Sequence, residues 1–180
     1  MEPVKFHLDV RPDDRGTFVE LERLGRSVPG SSGPPSPQRD AARLCEVISA
    51  RGWAQWNTST SRPDVFRGFH FQAHPHAQAK LVTLLSGHIT DYCLDLQTGV
   101  MFEFHLSPYE QLFVPPGFAH AFHTKETSTI VYACSSVRVV EAERTIRVPQ
   151  LHRGAMRSLR DARPMTYEEF RKARPEELPQ

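Results

Sequence analysis

Between Trp53 and about Val148 the chain is a succession of short runs rich in Val, Ile, Thr, Phe and Tyr, cut apart by Gly, Pro and Ser. WAQWNTS, VFRGFHFQ, KLVTLLS, HITDYCLDL, MFEFHL, EQLFV, TIVYACS and RTIRV are too short, and too closely spaced, to be the parts of βαβ units. In MFEFHL, Phe102, Phe104 and Leu106 alternate with Met101, Glu103 and His105, the two-residue period of a strand. Many short strands with tight connections make an all-β sandwich or barrel with antiparallel strands. The flanks read differently. Ser27 to Gln38 (SVPGSSGPPSPQ) is mostly Ser, Pro and Gly and cannot bury apolar surface, so 27–38 is expected to be a flexible insertion. Gln38 to Arg51 places Ala41, Leu44, Val47 and Ile48 on one face of a short helix. Beyond Arg163, Thr166-Tyr-Glu-Glu169 is a capping-box pattern that opens a charged, solvated helix ending before Pro175, within a helical tail over 165–180. A length of 180 residues suits one domain, 1–180, with these appendages.

Composition narrows the function classes. Lys and Arg number 22 against 21 Asp and Glu, a formal charge of +1, which removes the basic field that sequence-independent nucleic-acid binding needs. No run approaches the ~20 apolar residues of a membrane helix. The opening Met1-Glu2-Pro3-Val4-Lys5 lacks the basic-then-apolar plan of a secretory leader. Cys45, Cys93 and Cys134 are odd in number and widely spaced, as reduced thiols are. The expectation is a cytoplasmic protein without nucleic-acid or membrane partners.

Of the 9 histidines, seven fall between His70 and His123, within the region from Arg67 to Tyr132 that concentrates residues able to do proton chemistry. In Arg67-Gly-Phe-His70-Phe-Gln72, alternation puts Phe69 and Phe71 on one side of a strand and His70 and Gln72 on the other. Such a polar face is either half-solvated or lines a cavity inside a barrel. Lys80 opens the apolar run Lys80-Leu-Val-Thr-Leu-Leu, where an edge lysine that discourages strand pairing is the plain alternative. Pro115-Pro116-Gly117-Phe118-Ala119-His120 matches the P-x-G-x-x-H turn of cupin barrels, whose histidine points inward. His74-Pro-His76 with His120 offers three imidazoles for a metal. Lys80 stands roughly where the carboxylate ligand of such a site falls, and its charge disfavours a metal.

Taken in order, the motifs resemble one family. Asp14-Arg15-Gly16-Thr-Phe-Val-Glu20, Gln55-Trp-Asn57-Thr-Ser59-Thr-Ser61, Arg67-Gly-Phe-His70-Phe-Gln72 and Gln78-Ala-Lys80-Leu81-Val82 open the series. Gly87-His-Ile-Thr-Asp91, Asp95-Leu96, Pro116-Gly-Phe-Ala-His120-Ala-Phe122 and Tyr132-Ala-Cys134 complete it. They are similar to the dTDP-4-dehydrorhamnose 3,5-epimerase family, cupin-type jelly rolls acting on nucleotide-linked 4-keto-6-deoxy sugars. The resemblance implies a cupin jelly-roll barrel with short peripheral helices and a cofactor-independent, metal-free isomerase of deoxysugar and polysaccharide biosynthesis. Such an enzyme would invert C3, C5 or both beside the C4 ketone. His70 would be the base, Lys80 the partner of the enolate oxygen and Tyr132 the acid on the opposite face. Asp161, in Arg160-Asp161-Ala-Arg-Pro164, would orient His70, although the spacing is one residue short of the family's. Arg15 and Glu20, given across a homodimer interface, would hold the nucleotide with Gln55, Asn57, Arg67, His120 and Arg160. Two departures fall where the family holds the nucleotide: Arg11 replaces a phenylalanine, and Arg138 replaces a tyrosine. A single-carbon epimerase, a ketoisomerase, a metal-dependent cupin enzyme and a non-catalytic sugar-nucleotide-binding cupin are the alternatives.

Overall fold

A computed structural model describes residues 1–14, 16–21, 32–151, 154–158, 161 and 164–178. Its strands are β1 (Val4–His7), β2 (Val10–Asp13), β3 (Gly16–Val19), β4 (Gln55–Ser61), β5 (Phe66–Gln72) and β6 (Lys80–Ser86). They continue as β7 (Ile89–Asp95), β8 (Met101–Leu106), β9 (Glu110–Val114), β10 (Phe118–Thr124), β11 (Ser128–Cys134) and β12 (Glu143–Thr145). Two five-stranded sheets form, ordered β1-β9-β6-β11-β4 and β12-β5-β10-β7-β8, and β2 with β3 makes a separate hairpin. Every ladder between named strands is antiparallel. The expected jelly roll is therefore the observed fold.

Side-chain alternation divides the apolar residues into three layers. Val82, Leu84, Ile89, Leu112, Phe122 and Ile130, drawn from both sheets, fill the space between them. The outer face of the first sheet buries Leu81, Phe113 and Ala133 under α1 (Pro37–Arg51). Ser36 caps this helix by accepting from Arg39 N–H at 3.1 Å, and Pro37 fits its first turn, where no N–H is needed. The buried stripe of α1 is Ala41, Ala42, Cys45 and Ser49, while Val47 is exposed. Of the expected face, Ala41 is buried and Leu44 and Ile48 pack partly buried against the same cluster; Val47 alone turns outward, because small side chains at four-residue spacing let the helix lie close to the sheet. Of the expected 27–38 insertion, 27–31 lie outside the described residues, 32–35 are exposed, and Pro37 and Gln38 already belong to α1.

The third layer covers the outer face of the second sheet. Phe66, Phe69, Phe71, Tyr92 and Leu94 pack there against α2 (Tyr167–Ala173). The Thr166–Glu169 capping box forms as expected. The helix itself is not simply solvated: Tyr167 and Phe170 are buried, and the Phe170 ring meets Phe71 edge-on with centroids 5.3 Å apart.

One irregularity shapes everything nearby. On β10, His120 and Phe122 are two residues apart, yet their partners on β5, His70 and Arg67, are three apart. The extra residue is a β-bulge, and it puts Arg67 and His70 on the same face while Phe66 and Phe69 share the other. Gly68, at φ +125°, sits in this step. A Cβ there would lie 2.5 Å from Ala121 Cβ and 2.7 Å from His120 O, so only glycine lets the two backbones approach this closely. Gly68→Ala is expected to destabilise the fold by about 2–4 kcal/mol. Urea denaturation checks this, and a loss within experimental error would contradict the close-approach argument.

Candidate active site

At one end of the sandwich the space between the sheets is not filled by apolar side chains. A cavity of about 360 Å³ opens there, and the residues around it are mostly polar. The first sheet contributes Gln55, Asn57 and Ser59 from β4, Lys80 from β6, and Tyr132 and Cys134 from β11. The second contributes Arg67, His70 and Gln72 from β5, His120 and Phe122 from β10, and Glu143 from β12. The polar alternation read in β5 is thus part of the cavity wall. β6 lies between β9 and β11, so Lys80 is an interior lysine of a central strand rather than an edge lysine.

His70 Nε2 lies 2.6 Å from Asp161 Oδ1, and that carboxylate is almost fully buried. With an ionised carboxylate as partner, Nε2 carries the proton and Nδ1 keeps its lone pair. Asp161 is placed by its own N–H, which donates to Ser158 O at 3.0 Å and reaches Ser158 Oγ at 3.2 Å. Arg157 lies over the Phe66 ring, 3.9 Å from its centroid, and donates to Leu151 O at 2.9 Å. Burial lowers its pKa, while the nearby Asp161 charge raises it.

A second histidine–carboxylate pair lies deeper. His120 Nε2 is 2.8 Å from Asp91 Oδ2, and Asp91 has no solvent exposure. Sequence reading gave Asp91 no role. The available signal was an acid placed between Ile89 and Cys93 on the apolar, inward face of β7. Only a paired carboxylate survives there.

Lys80 sits in an electrostatic conflict. Burial pushes its ammonium below the ordinary lysine value, opposed by Cys134, Cys93, Asp91 and Glu143. Burial also pushes the Cys134 thiol up and the Cys93 thiol well up, so both stay neutral near physiological pH. The effective counter-charges are therefore Asp91 and Glu143. Burial raises the Tyr132 hydroxyl above its ordinary value, which keeps it protonated across the neutral range.

The remaining expected positions divide. Gln55 and Asn57 line the cavity and bond each other, Nε2 to Oδ1, at 2.8 Å. Arg67 Nε donates to Ser61 Oγ at 2.8 Å. Glu20 does not line this chain's own cavity. Arg15 and Arg160 lie outside the described residues. His74 and His76 are exposed in the β5–β6 connection, and no cluster of three metal-ligating groups exists among the described residues. No described helix is long and apolar enough to cross a membrane.

A jelly-roll barrel with a polar mouth and a histidine–aspartate pair in its wall defines a cupin-type protein. The sequence model of the dTDP-4-dehydrorhamnose 3,5-epimerase family matches residues 38–169, and the chain belongs to that family. It is 35% identical over 133 residues to a dTDP-4-dehydrorhamnose 3,5-epimerase of Streptomyces griseus, covering 68% of this chain and 57% of that protein. The chain spans about half the length of the curated relatives it matches. Among solved structures it resembles the Legionella pneumophila dTDP-6-deoxy-D-glucose-3,5-epimerase in complex with dTDP-4-keto-L-rhamnose. That match has TM-score 0.74 and 26% identity, and covers 99% and 93% of the two chains. The fold is shared with a 3'-monoepimerase from Streptomyces bikiniensis in complex with dTDP-quinovose, at TM-score 0.74 and 20% identity over 94% and 86% of the chains.

The Lys80 environment is testable without any substrate. Asp91→Asn removes a negative neighbour and disfavours the ammonium, so the Lys80 titration is expected to move to lower pH. Competitive labelling with an amine reagent, read at Lys80 by mass spectrometry across pH, measures it. An unmoved titration would remove Asp91 as the counter-charge.

Proposed function

We propose that this chain is a cofactor-independent isomerase that epimerises a nucleotide-diphospho-4-keto-6-deoxy sugar at C3, C5 or both, in deoxysugar biosynthesis. The observation that carries this reading is the division of labour between the walls. His70, held by Asp161 at 2.6 Å, stands on one sheet, and Tyr132 with Lys80 stands on the other. Inversion needs a base on one face of the sugar ring and an acid on the opposite face. The C4 ketone acidifies the neighbouring C–H, and His70 takes that proton on Nδ1 while its imidazolium is held by Asp161. The electron pair moves onto O4, where the Lys80 ammonium stabilises the enolate. Tyr132 then returns a proton to the same carbon from the other side. Histidine and tyrosine regain their starting states by proton exchange with water, so the net reaction is isomerisation.

Gln55, Asn57, Arg67 and His120 are assigned to substrate binding, together with Arg160 and the partner subunit's Arg15 and Glu20. Two features support a homodimer: residues of the β2–β3 hairpin are mostly exposed, and Phe18 keeps 60% of its surface in water. Phe18→Glu is expected to convert dimer to monomer in light scattering. A variant that remains a dimer would place the interface elsewhere.

Solvent exchange tests the chemistry. With a dTDP-4-keto-6-deoxyhexose in D2O the protein is expected to place deuterium at C3, C5 or both. His70→Ala should reduce this by about 10²–10⁴-fold. Tyr132→Phe should spare exchange better than net inversion, and Asp161→Asn should lower kcat with little change in KM. No exchange with any nucleotide-linked 4-keto sugar would refute the assignment.

A further inference from the structure

The chain passes from one sheet to the other across the cavity mouth, between the end of β11 and the start of β12. Three glutamines that line the cavity hold this crossing in place. Gln55 Oε1 accepts from the backbone N–H of Arg138 at 2.9 Å, and Gln72 Oε1 accepts from that of Val139 at 2.9 Å. Gln78 Nε2 donates to Ser136 O at 2.7 Å. Ser135 adds two bonds to Ala79, one from its backbone N–H and one to its hydroxyl. These bonds fix the backbone of the crossing at the cavity.

What it carries is Arg138. The guanidinium reaches from the crossing to Glu143 on β12, with Nε 2.7 Å from Oε2 and Nη2 bonded to the same oxygen. Glu143 pairs in register with Gln72, so it projects from the second sheet into the cavity. The ion pair therefore spans the mouth. Two of the five N–H groups of Arg138 are used on one carboxylate oxygen, and 46% of its side chain stays exposed at the rim. Arg67, anchored through Nε to Ser61, lies on the same cavity. Both guanidiniums act electrostatically on Tyr132, which sets them near the reacting end without either being part of it.

We propose that Arg138, aimed by Glu143 and by the Gln55 bond to its backbone, binds the diphosphate of the substrate as the second arm of a clamp with Arg67. This rests on the nucleotide-sugar reading above. The sugar enters toward His70, Lys80 and Tyr132, so the bridging diphosphate lies at the mouth, where the unused N–H groups are. A planar fork with donors to spare suits adjacent phosphate oxygens better than an uncharged base. Glu143 acts as a positioning residue, since a half-exposed arginine without it would sample many rotamers.

The test uses calorimetric titration of the full chain with dTDP, thymidine and inorganic pyrophosphate, together with steady-state kinetics. Arg138→Ala is expected to weaken dTDP and pyrophosphate about ten- to a hundredfold, leave thymidine unchanged, and raise KM with kcat retained. Arg138→Lys should recover part of the loss, and Glu143→Gln should weaken dTDP and pyrophosphate to a smaller degree while leaving thymidine unchanged. Equal weakening of thymidine and dTDP would make Arg138 a base contact and overturn the clamp. Unchanged binding of all three would leave a surface ion pair only. If the wild type binds dTDP and turns over substrate while Arg138→Ala matches it, the clamp alone falls. If the wild type binds neither dTDP nor pyrophosphate and exchanges no deuterium, the nucleotide-sugar reading falls with it.

Discussion

The contact on which the rest of this structure depends is the approach of β5 to β10 at Gly68 and Ala121. Close strand packing at one glycine permits a bulge, and the bulge changes which residues share a face. Without it, Arg67 and His70 would point to opposite sides of the sheet, because they are three positions apart. With it, both enter the cavity, His70 stands opposite His120, and Phe66 and Phe69 both turn outward into the layer beneath α2. One residue without a side chain thus links the outer core to the polar wall.

The interior also shows how a barrel keeps charges inside. Apolar packing occupies the deeper half, from Leu84 and Ile89 to Leu112 and Ile130. Several ionisable groups that line the cavity have an answering charge. Asp161 faces His70, and Asp91 faces His120. Glu143 holds Arg138, and Asp91 and Glu143 together offset Lys80. Removing one member of such a set leaves its partner buried and uncompensated, which costs more than the pair contributes. The carboxylates are therefore structural as well as chemical.

Much of this was legible in the sequence where local pattern decides the outcome. Strand alternation placed His70 and Gln72 together, and the Pro-x-Gly turn placed His120 inside. The capping box located α2 to the residue. What pattern could not carry were facts of approach and pairing. The buried face of α1 is set by how near small residues bring it to the sheet, so Val47 lost to Cys45 and Ser49. The burial of α2 follows from Phe71 lying beneath it, a contact between residues about a hundred positions apart. Asp91 and Glu143 were invisible as counter-charges because the groups they answer lie on other strands or on the crossing before β12.

The three cysteines end up in three different compartments. Cys45 lies on the buried face of α1, Cys93 lies between the sheets, and Cys134 lies on the cavity wall, each shielded from solvent. Each thiol becomes reactive only when its own compartment opens. Their relative rates of alkylation therefore distinguish lifting of the first helix, parting of the sheets and loosening of the mouth. The chain carries, without added labels, three separate clocks for its own breathing.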